Sequence, residues 1–231
     1  MNTTDRGITN VVLVHGAFAD GAGWRNVYDN LTARGYRVSV VQNPLTSLED
    51  DVAATNRVLD QQDGPAILVG HSWGGTVITA AGSHEKVAGL VYVAALIPDS
   101  GQNSAEQYEG FAATPLFVID VAEDGFGFLN RDSFATGFAA DASPADAAFL
   151  ADSQVPVNMS VFGSVVEKAA WHDKPSWAVI ATEDNAFDQA MLIHMAERAG
   201  AAITTVPGSH AVYLTQSGVV SDVIATAAQS A

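Results

Sequence analysis

Apolar positions along this chain fall in short unbroken runs rather than in alternation with polar ones. Asn10-Val11-Val12-Leu13-Val14, Ala66-Ile67-Leu68-Val69 and Val87-Ala88-Gly89-Leu90-Val91-Tyr92-Val93 set the pattern, and Arg37 to Val41, Ser176 to Ala181 and Ala202 to Val206 continue it. Unbroken runs suit strands covered on both faces, as in a parallel sheet. Between them the spacing predicts helices over Trp24 to Arg34 with Gly35 as C-cap, Leu48 to Gln61, Trp73 to Ala81, Asp188 to Ala199 and Gly218 to Ala228. Glu49, Asp50 and Asp51 open the second of these, where the helix dipole favours acids, and Gly64-Pro65 breaks it. Strands alternating with helices imply right-handed crossovers and an α/β fold with a doubly wound, mostly parallel sheet.

After Pro98 the rhythm fails. Residues 99–172 are rich in Gly, Asp, Phe and Pro, with a helix expected from Ser143 as N-cap and Pro144 at its first position. This segment reads as a cap inserted into a core formed by residues 1–98 and 173–231, within the length of one domain. Charge sharpens that division. The formal net charge is -16, and from Asp99 to Asp173 there are 12 acids against two bases, Arg131 and Lys168, so 10 of the 16 excess negative charges fall there. Such a balance argues against binding nucleic acid or an anionic membrane surface, both of which need a basic footprint. No apolar run approaches the roughly 20 residues of a membrane helix, and Met1 to Arg6 offers no export signal, so a soluble, cytoplasmic protein is expected. The absence of cysteine removes disulfides, thiolate nucleophiles and thiolate metal sites.

Candidate chemistry starts at Gly70-His71-Ser72-Trp73-Gly74-Gly75, which follows an apolar strand and opens a helix. A serine on a sharp strand-to-helix turn projects its hydroxyl above the sheet, and glycines two before and two after let the turn close. Ser72 is therefore the expected nucleophile. Its oxyanion donors would be the amides of Trp73, at the helix start, and of Ala17, in the His15-Gly16-Ala17 turn after the first strand. Six histidines compete for the base. His210 is chosen because Pro207-Gly208-Ser209-His210 leaves the last strand at the sheet edge from which Ser72 emerges. His71 must point away from its neighbour, His194 lies on a helix, His84 and His172 lie in loops, and His15 reads as a structural residue of its own turn. The acid belongs after the strand before last, where Thr182-Glu183-Asp184-Asn185 supplies two carboxylates. Asp184 is preferred, with Glu183 and the more distant Asp99 as competitors.

Together Val12 to Ala17, Gly70 to Gly75, Ala94 to Asp99, Ala181 to Asp184 and Gly208 to His210 resemble the α/β-hydrolase superfamily over nearly the whole chain. Within it they are similar to small esterases related to plant methyl-salicylate esterases and hydroxynitrile lyases. The resemblance implies a serine esterase with a helical cap, a triad at Ser72, Asp184 and His210, and oxyanion amides at Ala17 and Trp73. Lyases of that group carry a lysine after the histidine and a threonine in the first turn, whereas Ala211 and Ala17 stand here, so no cation is offered to a leaving cyanide. The two leading antiparallel strands of larger members are expected to be absent. Phe18, Tyr108 and Phe111 are taken as substrate-binding residues, from a wider aromatic set of Trp73, Phe117, Phe126, Phe128, Phe134, Phe138, Phe149 and Phe162.

The expected function is hydrolysis of a small neutral carboxylic ester, with no cofactor and no metal, and a homodimer is allowed for. A small-molecule receptor, or lactone, amide, perhydrolase or hydroxynitrile lyase chemistry on the same residues, is the alternative.

Overall fold

In the computed structural model, which describes residues 7–231, the six apolar runs form one all-parallel sheet. Its strands are β1 (Asn10–Val14), β2 (Arg37–Val41), β3 (Ala66–His71), β4 (Val87–Val93), β8 (Ser176–Ala181) and β9 (Ala202–Val206), in the order β2-β1-β3-β4-β8-β9. Every residue of β1 and β3 is buried, whereas the outermost strands β2 and β9 are partly exposed. That explains why the central runs carry no polar alternation while Ser39, Thr204 and Thr205 interrupt the edges. The Met1 to Arg6 segment, read above for an export signal, lies outside the described residues.

The sequence-predicted helices are present within a residue or two. α1 (Arg25–Ala33) follows a 3-10 turn, Gly21–Trp24, whose Ala22 amide is capped by Asp20, so the regular helix begins just after Trp24. α2 (Leu48–Asp60) is capped by Ser47, which accepts from Asp50 N at 3.0 Å. α3 (Trp73–Ala81) leaves β3 directly, α6 (Gln189–Arg198) is capped by Asp188, and the chain closes with α7 (Val212–Thr215) and α8 (Ser217–Ser230). The chain steps from β1 outward to β2, then crosses back over β1 to β3. With right-handed crossovers this sends α1 and α2 to opposite faces and opens a crevice at the C-terminal ends of β1 and β3. Gly16 and Ser72 sit at those ends.

Between β4 and β8 the expected helical cap holds α4 (Phe134–Phe138) and α5 (Pro144–Asp152), the latter capped by Ser143 with Pro144 at its start. It also holds a three-stranded antiparallel sheet of β5 (Ile119–Val121), β6 (Phe126–Leu129) and β7 (Val157–Asn158). The hairpin between β5 and β6 turns on Asp124-Gly125, with Gly125 at φ +83° and Ala122 N donating to Phe126 O at 2.8 Å. The cap is pinned at its stem. Gly101 N donates to Val166 O at 2.8 Å, Val166 N to Gln102 O at 2.9 Å and Trp171 Nε1 to Pro98 O at 3.0 Å, while His172 pairs with Asp99 at 2.7 Å. Among the described residues no helix is long and apolar enough to cross a membrane.

Close packing of α3 on the sheet depends on residues without side chains. A Cβ on Gly74 would stand 2.6 Å from Val14 O and 2.9 Å from His15 O, both backbone atoms of the neighbouring strand end. Gly74→Ala is expected to destabilise the protein by about 1–3 kcal/mol, read as a lower urea midpoint. An unchanged midpoint would show that the contact relaxes freely.

Candidate active site

Ser72 joins β3 to α3 with φ 54° and ψ -122°, a conformation that costs an ordinary residue about 1–3 kcal/mol. Three hydrogen bonds hold the turn: Ser72 N donates to Val93 O at 3.2 Å, and Ser72 O accepts from Gly75 N at 2.9 Å and Leu96 N at 3.2 Å. Glycine is required on both sides. A Cβ on Gly70 would collide with Gly74 O and come within 2.9 Å of Gly75 N, and one on Gly16 would lie 2.7 Å from Ser72 Cβ. The turn after β1 is therefore pressed directly against the serine, with Ala17 in the cavity wall beside it. Trp73 N opens α3, where first-turn amides have no helical acceptor. The turn after β1 and the start of α3 thus both border the cavity at Ser72.

His210 and Asp184 meet beneath the same wall. Asp184 Oδ2 accepts from His210 Nδ1 at 2.8 Å, and both side chains are fully buried. Asp184 Oδ1 accepts from Ala186 N at 2.7 Å and Phe187 N at 3.0 Å, so three donors converge on the carboxylate. The carboxylate fixes the proton on Nδ1 and leaves a lone pair on Nε2, which is buried and has no hydrogen-bond partner, Ser72 Oγ included. Serine–histidine bonds in unliganded sites commonly tighten only when substrate binds. Edge-on rings of Phe138 at 5.0 Å and Phe187 at 4.8 Å fix the imidazole plane. Behind it, His71 Nε2 donates to His210 O at 2.9 Å, turning away from its neighbour Ser72 as its position demands.

The competing residues find other partners. His15 accepts from Asn43 N through Nε2 at 2.9 Å and donates through Nδ1 to Gly16 O at 2.9 Å, which stiffens the turn that carries Ala17. Asp99 pairs with His172 in a single 3-10 turn at the cap stem, and His84 with Asp60 at 3.1 Å. Glu183 contributes its backbone, donating to Gly208 O at 3.0 Å and so holding the Asp184 and His210 loops together.

A cavity of about 370 Å³ opens over Ser72. Phe18, Trp73, Tyr108, Phe117 and Phe162 line it, as the aromatic pattern suggested, and no charged side chain does. Tyr108 is the most exposed of these rings, at 38%. Phe111 is a correction: it lies outside the cavity, its ring 5.6 Å from that of His194 on α6. Phe134 and Phe138 are buried in the core, and Phe128 and Phe149 are exposed. Leu96, Ala105, Thr114, Ile119, Ala186 and Phe187 complete the wall and were not singled out from the sequence. Phe187 had a local signal, since an acid at Asp184 that caps the next amides draws the residue three positions on into the same turn. Among the described residues no group of three His, Cys, Asp or Glu side chains is placed to hold a metal.

Comparison with known proteins follows this geometry. A family model described as the alpha/beta hydrolase family matches residues 11–223. The pyrethroid hydrolase of Sphingobium wenxiniae is 34% identical over 107 residues, 41% of this chain and 38% of that protein. The matched stretches span between 38% and 54% of the length of the curated relatives. The crystal structure of a pyrethroid hydrolase from Sphingobium faniae superposes with a TM-score of 0.82 at 23% identity, covering 96% of this chain and 98% of that one. A methylesterase from Arabidopsis gives 0.79 at 16% identity, covering 95% and 98%.

The buried titratable groups set a pH dependence of stability. Burial holds His71 well below the ordinary imidazole value, with the His210 imidazole adding, and burial also lowers His15. Unfolding lets both take up protons, so their contribution is lost as pH falls below about 6.5. Asp51, raised by burial to about 6, acts in the opposite sense: it gains its proton in the folded state first, and adds stability as pH falls through that value. Two groups outweigh one. Urea midpoints are expected to fall between pH 7.5 and 5.5, and His71→Phe, if folded, to flatten the fall; midpoints that stay level in the wild type would contradict the assignment.

Proposed function

This chain belongs to the alpha/beta hydrolase family, and from its site we propose that it is a serine esterase acting on a small, neutral, apolar ester. The observation that carries this reading is the buried Asp184–His210 pair, whose unpartnered imidazole packs against the cavity-wall rings of Phe117 and Phe187, while a strained Ser72 lines the same uncharged cavity. The pyrethroid hydrolase and methylesterase names among its relatives agree with ester cleavage on this fold.

In the proposed course, His210 Nε2 removes the Ser72 proton as Oγ attacks the ester carbonyl. Asp184 holds the imidazole and stabilises the imidazolium, while the amides of Ala17 and Trp73 receive the oxyanion. Each such donor supplies about 2.7–4 kcal/mol to the transition state in comparable hydrolases. Collapse expels the alcohol, which takes the proton from His210, and leaves an acyl group on Ser72. Water activated by the same Nε2 then releases the acid and restores the serine. Phe18 and Tyr108 hold the apolar portion of the ester. The acidic surface of the cap disfavours anionic substrates on approach.

Ser72→Ala is expected to lower p-nitrophenyl acetate hydrolysis by about three to six powers of ten. A fluorophosphonate should label Ser72 in the wild type and fail to label His210→Ala; labelling elsewhere, or hydrolysis that survives Ser72→Ala, would overturn the assignment, and specific binding without turnover would favour a receptor. A neutral ester should exceed an isosteric carboxylate-bearing one in kcat/KM at low salt, with the gap narrowing as salt rises.

A further inference from the structure

The three acids at the start of α2 do not share one role. Glu49 and Asp50 are exposed and suit the helix dipole, with Asp50 also accepting from Thr46 Oγ at 2.7 Å. Asp51 turns the other way. It is fully buried, and its partners are neutral donors rather than a cation. Oδ2 accepts from the Trp73 indole Nε1 at 2.8 Å, and Oδ1 accepts from Leu45 N at 2.8 Å. A buried carboxylate without a counter-ion is costly, and its persistence calls for a function of both hydrogen bonds.

Each bond leads to a different half of the cavity wall. Trp73 is buried beside Ser72 and forms the core side of the wall. Leu45 is held at φ 58°, a conformation that leucine rarely adopts, and its carbonyl accepts from Asn158 N at 2.9 Å. Asn158 belongs to the cap strand β7, paired with Phe126 of β6, and the next turn, Met159–Gly163, carries Phe162. The Phe162 ring returns to meet Trp73 edge-on at 5.5 Å and lies 6.4 Å from Phe18. The circuit Asp51, Leu45, Asn158, Phe162, Trp73 therefore closes on itself around one carboxylate. The backbone of the Ser72 turn stands apart from it, since Ser72 N and O are bonded to Val93, Gly75 and Leu96.

We propose that Asp51 is a positioning residue for substrate binding, setting the Trp73 ring and, through Leu45, the β7–Phe162 wall of the cap against each other. The proposal rests on the reading of this cavity as the ester site. It distinguishes the carboxylate from its amide. Asn presents one acceptor and one donor, so its NH2 must face either the indole N–H or the Leu45 N–H, and one arm of the circuit is broken while volume is kept.

The test uses the full chain with Asp51→Asn and, as a second variant that removes the indole N–H together with part of the ring while keeping an aromatic side chain, Trp73→Phe. Steady-state kinetics compare p-nitrophenyl hexanoate, which reaches the wall, with p-nitrophenyl acetate, and hydrogen–deuterium exchange follows the amides of residues 44–46 and 157–163. Asp51→Asn should raise KM for the hexanoate about tenfold, of the order of one hydrogen bond, with kcat within about threefold and a smaller change for the acetate. Exchange should quicken at 157–163 while β1 and β3 stay protected. In the Trp73→Phe background the added effect of Asp51→Asn on KM should shrink. An unchanged hexanoate KM, exchange at 157–163 identical to the wild type, or equal losses of kcat on both esters would overturn the proposal. Were the wild type to hydrolyse neither ester, the esterase reading would fall by itself and exchange would decide the Asp51 circuit; were Asp51→Asn unable to fold, an unchanged hexanoate KM in Trp73→Phe would overturn the proposal.

Discussion

Backbone strain at the C-terminal edge of the sheet is the constraint on which the other features depend. Among the described residues four non-glycine positions have positive φ: Phe18, Leu45, Ser72 and Ala94. They follow β1, β2, β3 and β4 in turn, one after each of four successive strands. At about 1–3 kcal/mol each, such positions persist only where surrounding packing over-determines them. Here it does. Gly16, Gly70, Gly74 and Gly75 let the turns approach to contact distance, Ser72 is hydrogen-bonded to the end of β4 and to Leu96 beyond it, and Ala94 N donates to Val179 O at 2.9 Å. The strained turns gather at the crevice that the sheet order opens.

On that edge the ionisable groups are sorted by what surrounds them. His15 and His71 are buried against backbone partners and held neutral, His15 bracing its loop as both donor and acceptor and His71 through one bond to His210 O. His210 has the same burial with a carboxylate on one nitrogen and none on the other. Three histidines within a few residues' span of the crevice thus differ in role because their partners differ, and Asp184 makes the distinction. Breaking a hydrogen bond to its buried oxygens would leave amide donors unpaired, which ties this pair to the integrity of the Ala186–Phe187 turn.

The sequence made the core legible because its physics is local. Buried parallel strands are unbroken apolar runs, and the serine turn needs glycine at fixed offsets, so the six strands and the Ser72 motif could be read directly. Chain order after the strands pointed to His210 and Asp184, which the fold brings into hydrogen-bond contact. The cap resisted the same reading. Its strands β5 and β7 are three and two residues long, too short for a period to emerge, and only the Asp124-Gly125 turn marked the hairpin. Phe111 and Phe117 look alike in sequence, yet one packs on α6 and the other faces the cavity, a difference set by tertiary contacts alone. Asp51 was hidden by a valid rule: acids do favour first turns, and nothing local marks one of three neighbours as facing inward.

Charge and cavity chemistry act at different distances, which separates recognition from approach. The 12 acids between Asp99 and Asp173 include many exposed side chains, whereas the cavity beneath them is lined without charge. An exposed field decays over roughly 8 Å at physiological salt, so it acts mainly on the encounter and weakens as ions are added. The wall formed by Phe18, Trp73 and Phe162 acts only on a molecule already inside, through contact and exclusion of water. Salt should therefore alter which molecules arrive without altering how a bound one is held. The cap joins the two effects in one segment: its outer face carries the charge, and its inner face, tied to the core through Asn158 and Leu45, completes the apolar wall over Ser72.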